Sequence, residues 1–289
     1  MPSCVRRLGP DETGQPDVGT AAGLNRMICG PEGPTLGIVD VDRFIRDGYV
    51  AIRGAVDAET VRACQELIWE SMARRGLRRD DPAAWPPLVE IDDLGAGPFA
   101  AAGASPPLAG ACDELIGAGR WISPVDVGNS VVVRLPSEDR ANAGYHIEGS
   151  YRGPGGQDGW VNIRSRARGL LALFLFTDVG PDDAPTRLMC GSHLAVPEFL
   201  APYGEEGACA DADFWRSSAL CLPVAHATGA AGDVFLCHPF IVHTATWPHR
   251  GTAPRMIAQP AVHVAAGFAV DGTDHSPVAR AIVAGLAMT

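Results

Sequence analysis

Residues Gly169 to Val179 contain the run Leu-Leu-Ala-Leu-Phe-Leu-Phe-Thr-Asp, apolar at odd and even positions alike. Alternate residues of a strand face opposite ways, so a chain with this run must cover both sides of one extended segment. It is expected to be a central strand. Shorter candidates surround it: Gly48 to Gly54, bounded by glycines, then Ser130 to Leu135, Leu220 to Ala225, Gly232 to His243 and Arg255 to Ala265. Helical spacing places Val61, Cys64, Leu67, Ile68 and Met72 on a helix that Asp57 caps and that ends near Gly76. Asp40 or Asp42 caps a short helix before it. Further helices are expected over Pro107 to Ile116 and Ser276 to Leu286, with a helical excursion from Val196 to Phe214. Residues 80–107, crowded with proline, read as a long surface connection. Residues 1–36 form an irregular arm without a hydrophobic period, and 37–289 a single domain. Short strands with turn punctuation imply a mainly β fold with flanking helices. The expected architecture is a double-stranded β-helix, a cupin-like jelly roll with helices buttressing one sheet.

A net charge of −11 argues against a nucleic-acid binder, since phosphate contacts need clustered cations. The chain has no lysine, which excludes Schiff-base chemistry through that residue. No apolar run approaches the length of a membrane span, and the N-terminus lacks a signal pattern, so a cytoplasmic protein without membrane contact is expected. The eight cysteines include no Cys-x-x-Cys pair, and several sit in apolar runs. Free, buried thiols are expected rather than a disulfide framework.

Chemistry concentrates in two places. His146-Ile147-Glu148 puts an imidazole and a carboxylate two residues apart, on one face of a strand. His243 ends an apolar strand far downstream. Two imidazoles and one carboxylate leave coordination positions open, the ligand pattern of non-haem Fe(II) oxygenases. Arg255 opens the next strand. A guanidinium facing the same interior is costly unless an anion pairs with it. A dicarboxylate co-substrate, held by metal at one end, would be that anion, which points to 2-oxoglutarate.

Four segments resemble the phytanoyl-CoA dioxygenase family of Fe(II)/2-oxoglutarate oxygenases: Phe44 to Gly54, His146-Ile-Glu148, Thr186-Arg-Leu-Met-Cys-Gly-Ser-His193, and Gly232-Asp through His243 to Arg255. They span about residues 40 to 260 in the family's order. The resemblance implies that His146, Glu148 and His243 take Fe(II) and that Arg255 takes the distal carboxylate of 2-oxoglutarate. Thr186 and Arg134 fall where neighbouring co-substrate contacts are expected. It also implies O2 as co-substrate, release of succinate and CO2, and oxidation of a C–H bond in a small-molecule substrate, here a secondary metabolite. Two positions depart from the pattern: Glu148 stands for the usual Asp, and Cys190 for the proline of Pro-Gly-Ser-His. A halogenating relative would lack the carboxylate, so Glu148 favours oxygenation, with hydroxylation as the default and desaturation, ring closure or epoxidation left open.

His238 and His249 are rivals of His243 as the distal ligand. His193, His226, His263 and His275 read as structural or surface residues. Arg166 and Arg168 either face the substrate or form a surface pair, and Tyr151, Trp160 and Trp247 are candidate pocket walls. The loop from Gly149 to Asp158 matches neither phosphate-binding glycine fingerprint and reads as a mobile lip beside the site. The competing functional class is an inactive jelly-roll protein that binds a metal or small molecule. A third reading is a metal-dependent oxygenase that does not consume 2-oxoglutarate.

Overall fold

The computed structural model describes residues 39–95, 97–139, 144–210 and 222–287, so the N-terminal arm lies outside the described residues. The strands in chain order are β1 (Tyr49–Ile52), β2 (Leu88–Ile91), β3 (Val131–Arg134), β4 (Trp160–Val161), β5 (Arg168–Leu175), β6 (Arg187–Met189), β7 (Ala208–Cys209), β8 (Val224–His226), β9 (Val234–Cys237), β10 (His243–Thr244), β11 (Arg255–Ala258) and β12 (Ala261–His263). The large sheet runs β1-β9-β5-β11-β3-β2, with β12 also on β5, and a second sheet runs β10-β6-β8. Their pairings are antiparallel. This is the jelly roll the sequence implied.

The two-sided apolar run explains the layering. Leu170, Ala172 and Phe174 of β5 join a core with helices α2 (Ala58–Arg74) and α4 (Pro106–Ile116), through Cys64, Ile68, Met72, Leu108 and Cys112. Leu171, Leu173 and Leu175 face the other way and meet Leu188, Ala225 and Ile241 of the second sheet and its connections. One strand thus separates a helix-backed core from the space between the sheets. The caps follow the expected chemistry. Asp57 accepts from the Glu59 and Thr60 amides, and Asp40 from the Arg43 amide at the start of α1 (Val41–Asp47).

Two expectations are corrected. Residues 80–107 are not a plain connection: β2 pairs along β3, and α3 (Pro98–Gly103) buries Phe99 and Ala102. Proline at the first turn of a helix removes an amide that has no intrahelical partner anyway, so Pro98 and Pro106 start helices rather than break them. The thiols also divide. Cys64, Cys112, Cys190 and Cys237 are free and buried, but Cys209 is disulfide-bonded. Pairing depends on which loops the fold brings together, and sequence spacing does not reveal that.

The closing helix Pro277–Leu286 is anchored by charge. Asp274 accepts from Arg120 at 2.9 and 2.6 Å and from the Ser276 amide at 3.0 Å. Burial works against its ionisation, but Arg120 and Ser276 outweigh it and hold the carboxyl down at about 2. A folded-state value below the unfolded 3.8 stabilises above that pH, and the gain is lost as pH falls towards 2. Asp274→Asn should therefore lower the urea midpoint at neutral pH by an amount worth roughly 1 kcal/mol, with Arg120 partly exposed. The gap to the parent should close in acid. A gap independent of pH would show that the pair does not hold the helix.

Candidate metal centre

His146 and His243 exchange both backbone hydrogen bonds, at 3.0 and 2.9 Å, which adds the His146 segment to the edge of β10. Residues directly opposite in an antiparallel pair present their side chains to one face. The two rings accordingly lie 4.4 Å apart between centroids. Glu148, two residues on, brings Oε1 to 3.5 Å from His146 Nε2 and 3.4 Å from His243 Nε2. One ligand atom from each of the three falls within 4.8 Å of the others. His243 lies opposite Leu188, a member of the core between the sheets, so the group opens onto that space.

The rings are oriented from behind. His146 Nδ1 lies 2.9 Å from the Gly144 carbonyl and His243 Nδ1 3.2 Å from that of Ile241. A carbonyl only accepts, so each Nδ1 carries the proton and each Nε2 keeps its lone pair for a metal. His243 Nε2 is buried without a hydrogen-bond partner. Burial lowers the His243 pKa, and the neighbouring His146 adds to this. Burial also works against ionised Glu148, but the close approach of both histidine rings and the charges of His243 and Arg168 hold it well below the usual carboxylate range. At His146 the effect of burial is outweighed by Glu148 and the Gly144 carbonyl, and the pKa is raised. The His243 side chain is 3% exposed, Glu148 31% and His146 48%, so the centre is reached from the His146–Glu148 side.

Arg255 and Arg134 face each other across β11 and β3. Arg255 shares its parity with Ile257 of the inter-sheet core and is 1% exposed. It donates through one terminal nitrogen to the Ala184 carbonyl, and its Nε has no partner. Arg134 is also buried, with Nε and one terminal nitrogen unpartnered and its guanidinium 4.1 Å from the centre of the Trp247 ring. Burial, then the charge of Arg134, pushes Arg255 well below the ordinary arginine value, with Asp183 opposing. Burial brings Arg134 down to about 10 against the pull of Glu90. Two adjacent buried cations with spare donors form an anion site. Thr186 is buried two residues from the carbonyl that Arg255 grips.

The structure thus brings His146, Glu148 and His243 into one cluster and Arg255 and Arg134 into another. The rivals lie elsewhere. His238 Nε2 is 3.3 Å from the Val278 carbonyl, and His193 Nε2 is 3.0 Å from that of Ile45, both in structural roles. His249 is buried near Arg255, whose charge lowers its pKa after the larger effect of burial. Trp247 does line the arginine cluster. Arg166 is exposed over the Tyr151 ring, whereas Arg168 points inward to the Gly149 carbonyl, so the two are not a surface pair.

No family model matches this sequence. Nor does any curated protein match it significantly. Its fold is shared with solved structures. The non-haem alpha-ketoglutarate-dependent carbocyclase SnoK from nogalamycin biosynthesis is 19% identical, with a TM-score of 0.55 over 81% of this chain and 88% of that one. EctD from S. alaskensis, solved with 2-oxoglutarate and 5-hydroxyectoine, is 16% identical, with a TM-score of 0.50 over 82% and 80%. At such identities the likeness establishes the jelly roll alone.

Proposed function

We propose that this chain is a non-haem Fe(II)/2-oxoglutarate-dependent dioxygenase that oxidises a C–H bond, by default as a hydroxylase. The carrying observation is the pairing of two incomplete sites within one fold. A His-Glu-His cluster keeps its ring nitrogens for a metal, and two buried arginines hold donors that no protein group accepts. His146, Glu148 and His243 hold Fe(II) in this reading, and their donor set of two neutral nitrogens and one carboxylate suits it. Bound iron with 2-oxoglutarate supplies O2 activation, with conversion of the 2-oxo acid to succinate and CO2 coupled to oxidation of the substrate.

The protein's own groups bind and orient. Arg255, supported by Arg134, takes the distal carboxylate of 2-oxoglutarate, and Thr186 lies against the same end. The carbonyls of Gly144 and Ile241 fix the histidine rings, and the buried flank of His243 keeps water from one side. The order of the four sequence segments supports placement in the phytanoyl-CoA dioxygenase family. A secondary metabolite as substrate is supported by analogy, since SnoK, with the same fold, comes from nogalamycin biosynthesis. Among the described residues, Arg75, Arg78 and Arg79 of the densest basic stretch pair with Asp93, Asp80 and Glu66, which leaves no cluster suited to coenzyme A phosphates. No helix among the described residues is long and apolar enough to cross a membrane.

Anaerobic addition of Fe(II) and then 2-oxoglutarate tests this. A weak visible charge-transfer band should appear only with both. Iron uptake without that band would indicate an oxygenase of another type. Neither signal would leave a binding module.

A further inference from the structure

Arg168 opens β5 and donates to the Gly149 carbonyl at 2.9 Å, one residue beyond Glu148. That bond uses one terminal nitrogen. Its Nε and other terminal nitrogen are buried with no partner. Ser150, next along the chain, buries its hydroxyl unpartnered as well. Buried donors left unused are costly, and a residue that served only to clamp Gly149 would not need them. The charge that opposes the effect of burial on Arg168 is that of Glu148, which is committed to the metal in the proposed site. The histidine exposures place this segment on the open side of the centre, where a substrate enters.

In the loaded centre Glu148 holds the metal and 2-oxoglutarate meets Arg255 and Arg134, so the spare donors of Arg168 have no anion of their own. We infer that Arg168, with Ser150, receives a carboxylate carried by the primary substrate, at the lip beside Glu148. This rests on the dioxygenase reading for its neighbourhood, and it narrows the substrate class to carboxylic acids.

The test uses benzoate, with benzamide as its neutral match, titrated calorimetrically into protein loaded with Ni(II) and 2-oxoglutarate. Benzoate should bind the parent and benzamide should not. Arg168→Gln, which keeps a donor for Gly149, should weaken benzoate at least about thirtyfold, while Ni(II) and 2-oxoglutarate affinities move by less than about threefold. Arg168→Lys, which keeps the charge, should retain binding within about tenfold of the parent. Three results overturn the proposal: no benzoate binding by the parent, equal binding of benzamide, or unchanged affinity in Arg168→Gln. A selective loss of 2-oxoglutarate in that variant also overturns it, because Arg168 would then belong to the co-substrate. Should the parent take up neither Ni(II) nor 2-oxoglutarate, the dioxygenase reading fails, and Arg168-dependent benzoate binding by the metal-free protein still decides the anion site.

Discussion

Glu148→Ala and His243→Ala should each abolish 2-oxoglutarate-dependent succinate release, with Ni(II) or Fe(II) affinity down at least about a hundredfold. The expectation comes from how little else these side chains do. His243 Nε2 has no hydrogen-bond partner, and its Nδ1 contact to Ile241 is within its own turn. Glu148 contacts the two histidines through a single oxygen. Glu148 is partly exposed and its removal leaves little void, whereas His243 is buried, so a melting temperature close to the parent's is the control for His243→Ala before loss of metal binding is read. Glu148→Asp makes the comparison sharper. It restores the carboxylate with a shorter reach, the arrangement of the family this sequence resembles, and should recover part of the activity. Full turnover in either alanine variant would show that the ligand set is wrong.

The second large effect is at Arg255, where stability and binding should move in opposite directions. In the ligand-free protein this guanidinium is buried, beside Arg134 and with a spare donor. Exchanging a buried, poorly matched charge for an apolar side chain of similar length is often neutral or stabilising. Arg255→Met should therefore keep the stability of the ligand-free protein or raise it by ~1 kcal/mol. The same change should weaken 2-oxoglutarate by about 2–5 kcal/mol, roughly thirtyfold to a few thousandfold, because the incoming carboxylate loses its buried partner. Iron affinity should hold. Thermal unfolding with and without 2-oxoglutarate reads both quantities, since a ligand that binds the native state raises its melting temperature. If Arg255→Met lowered stability and lost iron and 2-oxoglutarate together, the arginine would be a structural strut and not an anion receptor.

Much of this was legible in the residues because the signals are periodic. The two-faced apolar run located β5, the His-x-Glu spacing placed an imidazole and a carboxylate on one face, and an arginine within an apolar strand marked a buried guanidinium. What resisted reading depends on contacts between distant segments. Proline hid β2 and α3, because its effect depends on where in a helix it falls. Parity did not assign Arg168, since β5 is entered through positive φ at Ser165 and Ala167 and the register of β12 shifts beside it. The Trp247 ring against Arg134 joins a loop to a strand, and nothing local announces it.

The division made by β5 has a practical outcome for anyone altering this protein. Its even-numbered side chains join the core that carries the helices, while its odd-numbered ones join the core between the sheets. Thermal robustness can be engineered from Leu170, Ala172 and Phe174 outward, and substrate scope from Leu171, Leu173 and Leu175 inward. Mutations on the two sides share one backbone, so their effects should add where each side repacks without moving β5 and couple where it does.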